Sequence, residues 1–162
     1  MPATSKATTK QSSSNTASKK ATRSKGAIKI KYSDKSPGQP QLIPIFEEIT
    51  KMLAPYEKGT MKLFGGSDGK VALVSKKPVE ILGRKRDELW FASALVQNGY
   101  VGFYYMPVYG DSSIKKLIKP ELLKCLKGKA CFYIKKSDKK IFLQIKEALA
   151  IGYKEWLQRG WI

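Results

Sequence analysis

Two runs of strand-forming residues, Glu88 to Gln97 and Tyr100 to Met106, are separated only by Asn98-Gly99. That dipeptide is the strongest short hairpin signal a sequence carries, because the tight turn it makes needs positive φ at both central residues. It predicts a central antiparallel pair. Nearly every position of the first run is apolar, which implies cover on both faces near its middle. In the second run, alternation sends Val101, Phe103 and Tyr105 to one side and Gly102, Tyr104 and Met106 to the other, and Pro107 ends the pairing. One face of the sheet is expected to carry helices and the other an aromatic surface.

Other elements arrange themselves around that pair. Leu42, Ile45, Phe46, Ile49, Met52 and Leu53 recur at helical spacing, with Pro44 tolerable in a first turn and Pro55 ending the run. Met61 to Phe64 and Val71 to Ser75 flank Gly65-Gly66-Ser67-Asp68-Gly69 and predict a second hairpin. A phosphate-cradling loop would instead run into a helix through Gly-Lys-Ser/Thr, which this one does not. After Asp111-Ser112-Ser113, Ile114, Leu117 and Ile118 begin a short helix, and Pro120 restarts it for Leu122, Leu123, Cys125 and Leu126. Ala130 to Ile134 reads as a short strand. Ile141, Phe142, Ile145, Ala148, Leu149, Tyr153 and Trp156 form the clearest amphipathic stripe, capped by Ser137 or Asp138, and Gly160-Trp161-Ile162 is expected to dock. Without βαβ alternation, the expected class is α+β, an antiparallel sheet of about five strands with helices packed on one face.

A chain of 162 residues with 42% apolar content accommodates one such domain. Residues 1–27 are rich in Ser, Thr, Ala and Lys and bury too little apolar surface to offset ordering entropy, so they are expected to be a disordered basic tail. The folded domain is expected over 28–162, opening with a short edge strand in which Ile28, Ile30 and Tyr32 alternate with Lys29 and Lys31. No run approaches the roughly 20 apolar residues of a membrane span, and the N-terminus has no apolar secretory core, so a cytoplasmic location is expected.

Residues 1–40 hold nine Lys or Arg and one Asp, and residues 41–162 hold 22 basic and 12 acidic side chains, so both parts are strongly positive. The tail is either a polybasic arm for phosphates or a membrane surface, or a solubilising extension. Histidine is absent, which removes the commonest metal ligand and the usual general base. Cys125 and Cys131 lack zinc or CxxC spacing and read as two buried thiols acting as small hydrophobes. With no glycine elbow, paired-carboxylate motif or cofactor fingerprint, the chain reads as a non-enzyme without a cofactor.

The surface that remains as a candidate is aromatic. Trp90, Tyr100, Tyr104, Tyr105 and Tyr109, rimmed by Arg84, Lys85 and Arg86, are expected to meet a protein partner or small ligand, or to cover a homodimer face. The same ingredients, with the Lys-flanked aromatics of Ala130 to Lys136, suit non-specific nucleic-acid binding.

Several strings are distinctive: Lys29-Ile30-Lys31-Tyr32, Gly83-Arg84-Lys85-Arg86, the run Tyr100 to Tyr109, the run Leu126 to Lys136, and Gly160-Trp161-Ile162. Together they resemble a bacterial family of unknown function, the YdhG-like proteins, from about Lys29 to Ile162. The resemblance implies a small cytosolic domain with a helix-and-antiparallel-sheet layout. It also implies, through relatives described as frataxin-like iron chaperones, an alternative role in which carboxylates on the first helix and adjoining sheet edge hold iron. The matching positions here are Glu47, Glu48, Glu57 and Asp68.

Overall fold

A computed structural model of the chain describes residues 32–162. Within them the strands are β1 (Met61–Gly65), β2 (Lys70–Ser75), β3 (Val79–Ile81), β4 (Arg84–Arg86), β5 (Leu89–Gln97), β6 (Tyr100–Tyr105), β7 (Leu126–Lys127) and β8 (Cys131–Ile134). The α-helices are α1 (Ile43–Leu53), α2 (Pro107–Gly110), α3 (Ser112–Leu117), α4 (Pro120–Lys124) and α5 (Lys139–Gln158). The basic tail at 1–27 and most of the edge strand expected from Ile28 lie outside the described residues. Tyr32 is inside them and is not in a strand: its hydroxyl donates to the carbonyls of Gly69 and Val96, each at 2.9 Å.

Asn98-Gly99 joins β5 and β6 as expected, but with only Gly99 at positive φ, 82°, and Asn98 outside the left-handed region. Six strands form one wholly antiparallel sheet in the order β1-β2-β5-β6-β8-β7. The fold is thus α+β with helices on one face, one strand wider than expected. The extra strand is β7: Leu126 and Lys127 leave the helix and pair with Phe132 and Cys131, because Gly128 at φ 70° turns the chain back on itself.

Strand β3 and strand β4 form a separate two-stranded ribbon between β2 and β5. Its turn, Leu82-Gly83, carries both residues at positive φ, 51° and 71°, and Leu82 is 96% exposed. A leucine in the left-handed region is unusual and gives no turn signal in sequence, so this ribbon could not be read from composition.

Directly opposite residues of an antiparallel pair project to the same face. The rows Val71-Ala94-Phe103-Phe132, Leu73-Ala92-Tyr105 and Val96-Val101-Ile134 point toward the helices. There they meet Ile45, Phe46, Ile49 and Leu53 of α1 and Ile145, Ala148, Leu149 and Trp156 of α5. Burying a side chain of this kind is worth about 1.5–3 kcal/mol. A register shift after Leu73 admits Phe91 as an extra residue of β5, and its ring packs edge-on to Trp156 at 5.0 Å and to Tyr105 at 6.0 Å.

Helix α5 is capped by the Asp138 carboxylate, which accepts from Lys140 N at 2.8 Å. Its far end docks as expected, since the Ser75 hydroxyl donates to the carbonyl of Trp161 at 2.7 Å. No helix among the described residues is long and apolar enough to cross a membrane.

Candidate functional site

The sheet face turned away from the helices is built from the alternate positions of the same strands. Its rows are Lys62-Val74-Trp90, Phe64-Ala72-Ser93-Tyr104-Cys131-Lys127, Lys70-Leu95-Gly102-Tyr133 and Gln97-Tyr100. None of these side chains belongs to the helix-packed core. Ala72, Val74, Ser93 and Leu95 are buried, whereas Phe64 stands 45% exposed and Trp90, Tyr100, Tyr104 and Tyr133 are half-buried. Among the apolar side chains of this face, the exposed area is therefore carried mainly by the rings, Phe64 most of all.

Gly102 makes one side of this arrangement possible. A Cβ there would stand 3.0 Å from Tyr104 Cε2 and 3.6 Å from Tyr100 Cε2 and Cys131 Sγ, so the absence of a side chain lets three groups close over the backbone. Tyr100 and Tyr133 stack with ring centroids 3.9 Å apart and 12° between planes. Their shared hydrogen bond, and then burial, push the Tyr100 phenol up. Burial, with the Cys131 thiol alongside, pushes Tyr104 up to about 12. These phenols stay neutral at physiological pH and present rings and hydroxyls rather than charge.

The strands themselves contribute charge of one sign to this face. The six strands contain three lysines, Lys62, Lys70 and Lys127, and no Asp or Glu, and register puts all three lysines on this side. Among the described residues none of the three has a carboxylate within 4 Å. At the edge of the face Lys76 Nζ lies 5.0 Å from the Phe64 ring centroid and is paired with the Glu88 carboxylate at 2.5 Å, so this lysine brings its own counter-charge.

Of the residues singled out from the sequence, Trp90, Tyr100 and Tyr104 share this face. Tyr105 does not: strand alternation turns it inward, where it is fully buried and its hydroxyl donates to the Ala148 carbonyl. Tyr109 lies beyond the strand in α2, 57% exposed, with Lys129 Nζ 5.5 Å from its ring centroid. Arg84, Lys85 and Arg86 form β4 and are exposed on the separate ribbon. Phe64, Tyr133 and the three sheet lysines were missed as site residues. The pairing register, which sequence periodicity alone does not supply, is what gathers them.

The four carboxylates are dispersed. Glu47 is exposed on α1, Glu48 sits 3.9 Å from Lys51 Nζ, Glu57 accepts from Leu63 N at 3.2 Å, and Asp68 is exposed in the β1–β2 loop. No group of three or more Asp, Glu, His or Cys among the described residues could hold a metal ion.

An open cleft of about 480 Å³ between α1 and α5 is lined by Glu48, Lys51, Met52, Tyr56, Phe142 and Lys146, among others. The carboxylates whose protons are most perturbed, Asp111 and Glu121, lie outside it on the surface, each held low by hydrogen bonds that include a neighbouring cation. Both cysteines are free and half-buried rather than buried, and burial pushes each thiol up. A raised thiol pKa is the opposite of the lowered one that nucleophilic activation uses.

No family model, curated protein or solved structure matches this chain.

Proposed function

We propose that the protein is a cytoplasmic, non-enzymatic binding module whose docking surface is the aromatic, lysine-bearing sheet face, and that it belongs with the YdhG-like proteins its motifs resemble. The observation that carries this reading is the register itself. It assembles Phe64, Trp90, Tyr100, Tyr104 and Tyr133 with three lysines on the side the described helices leave alone. A strand face made only to be wetted alternates polar residues outward, whereas one that presents rings beside cations suits a ligand with apolar faces and negative charge.

The test is Trp90 emission in the full-length protein, titrated with an oligonucleotide, poly-glutamate and vesicles containing phosphatidylserine. Trp90→Phe supplies the background from Trp156 and Trp161. A saturable Trp90-dependent change with at least one polyanion is expected. Silence across all three defeats the assignment of this face as a docking surface.

A further inference from the structure

We infer that the ligand of this face is a single-stranded nucleic acid, with bases stacking on Phe64, Trp90 and Tyr104 and phosphates following Lys62, Lys70 and Lys127. This rests on the docking reading above and names its partner class.

The arrangement has the two components that sequence-tolerant single-strand binding requires, stacking platforms and a cationic path for the backbone. An antiparallel sheet that carries helices on one side and rings on the other accepts two or three splayed bases. Phe64 and Tyr104 occupy the same row, three strand spacings apart, on the order of 14 Å. Only Ala72 and Ser93 lie between them. Within that row no bulky side chain separates the two rings. Lys76 Nζ lies over one face of the Phe64 ring and is paired with Glu88, so a base stacks on the other face of that ring or displaces the lysine.

Other occupants fit less well. A second copy of the chain meeting this face through a two-fold axis would oppose two surfaces that each carry Lys62, Lys70 and Lys127, with no carboxylate in the strands of either sheet to offset them. An acidic protein would satisfy the lysines but leave the stacking surfaces without flat partners. Elsewhere the described domain also favours a polyanion, with 23 Lys or Arg against 13 Asp or Glu in residues 32–162.

Fluorescence anisotropy of the full chain with a labelled oligothymidylate of about twelve nucleotides tests this, against a duplex of equal length. Charge alone favours the duplex, which has the higher phosphate density, so tighter binding of the single strand is the signature of stacking. Phe64→Ala and Tyr104→Ala are each expected to weaken single-strand binding on the order of tenfold, while Tyr104→Phe, which keeps the ring, binds as the parent does. Replacing Lys62, Lys70 and Lys127 together by Gln should flatten the logarithmic salt dependence by about 2, at roughly 0.7 for each phosphate no longer neutralised.

Equal or tighter duplex binding, or alanine variants that bind like the parent, would overturn the inference and leave only charge attraction. If poly-glutamate or vesicles perturb Trp90 while the oligonucleotide does not, the nucleic-acid assignment falls and the docking face stands.

Discussion

Gly152 sits in the middle of the 20-residue helix α5, where a glycine normally costs about 1 kcal/mol relative to alanine. On propensity alone, Gly152→Ala should stabilise the protein. Packing reverses the sign. A Cβ at 152 would collide with the Tyr105 hydroxyl, and it would stand 2.8 Å from Pro107 Cγ and 2.9 Å from Tyr105 Cζ. Neither obstacle is a flexible chain end: Tyr105 is fully buried between Phe91 and Phe103, and Pro107 is a buried ring. Forcing a methyl into such a contact costs about 3 kcal/mol, the upper end of the overpacking range. Displacing the hydroxyl also weakens its bond to the Ala148 carbonyl, worth about 1 kcal/mol. After the propensity gain, a net loss of about 2–3 kcal/mol remains.

Urea unfolding of the full chain, followed by tryptophan fluorescence, measures this, and the midpoint should fall by about 1 M with an unchanged slope. Tyr105→Phe alone should cost about 1 kcal/mol through the lost hydrogen bond. Because the phenylalanine removes the nearest obstacle, the double variant should be less destabilised than the two single losses combined, by about 1 kcal/mol. A neutral or stabilising Gly152→Ala, or strict additivity in the cycle, would refute the close approach of α5 to β6.

Two further outcomes are expected. Gln144 is 6% exposed; its carbonyl accepts from Leu122 N at 2.9 Å and its amide donates to Glu121 Oε2 at 2.6 Å, so Gln144→Leu should orphan the first turn of α4 and lower stability by about 1–3 kcal/mol in the same urea assay. Glu121, held at about 2 by Lys140 and Gln144 against an ordinary 4.5, contributes stability that is full above pH 4.5 and lost as pH falls toward 2; the urea midpoint should decline through that window, and less steeply in Glu121→Gln.

The hairpins, the first helix, the capped C-terminal helix and the fold class were legible because each rests on a local signal. Asn98-Gly99 fixes a turn, Asp138 a cap, and Ile45, Phe46, Ile49 and Leu53 a buried stripe. The β3–β4 ribbon was not legible because its turn is closed by Leu82, which carries no preference for positive φ. Strand β7 was hidden by Leu126, whose spacing continued a helical pattern that Gly128 then ended. Within the site, alternation along β6 already separated Tyr104 from Tyr105. Grouping them by aromatic character alone therefore placed a core residue on the surface. Phe64 and Tyr133 are 69 positions apart in sequence, and their sharing of a face follows only from the registers of four intervening strand pairs.

The lysines of the face have two possible explanations, and their positions separate them. β1 and β7 are the outer strands of the sheet, and a lysine on an edge strand discourages pairing with another sheet. Lys62 and Lys127 are accounted for in that way without any ligand. Lys70 is not, because β2 is flanked on both sides by β1 and β5 and has no edge to guard. Its Nζ reaches within 5.9 Å of the Tyr32 ring centroid, a contact that ties down the segment before α1 yet leaves the ammonium without a carboxylate among the described residues. Edge protection also gives no reason for Phe64 to stand 45% exposed on the same edge strand as Lys62, since an exposed ring there promotes the association that the lysine opposes. A docking face accounts for both, with the ring as the contact and the lysine as its charge partner. Lys70 and Phe64 are therefore the positions at which solubility and ligand binding make different demands.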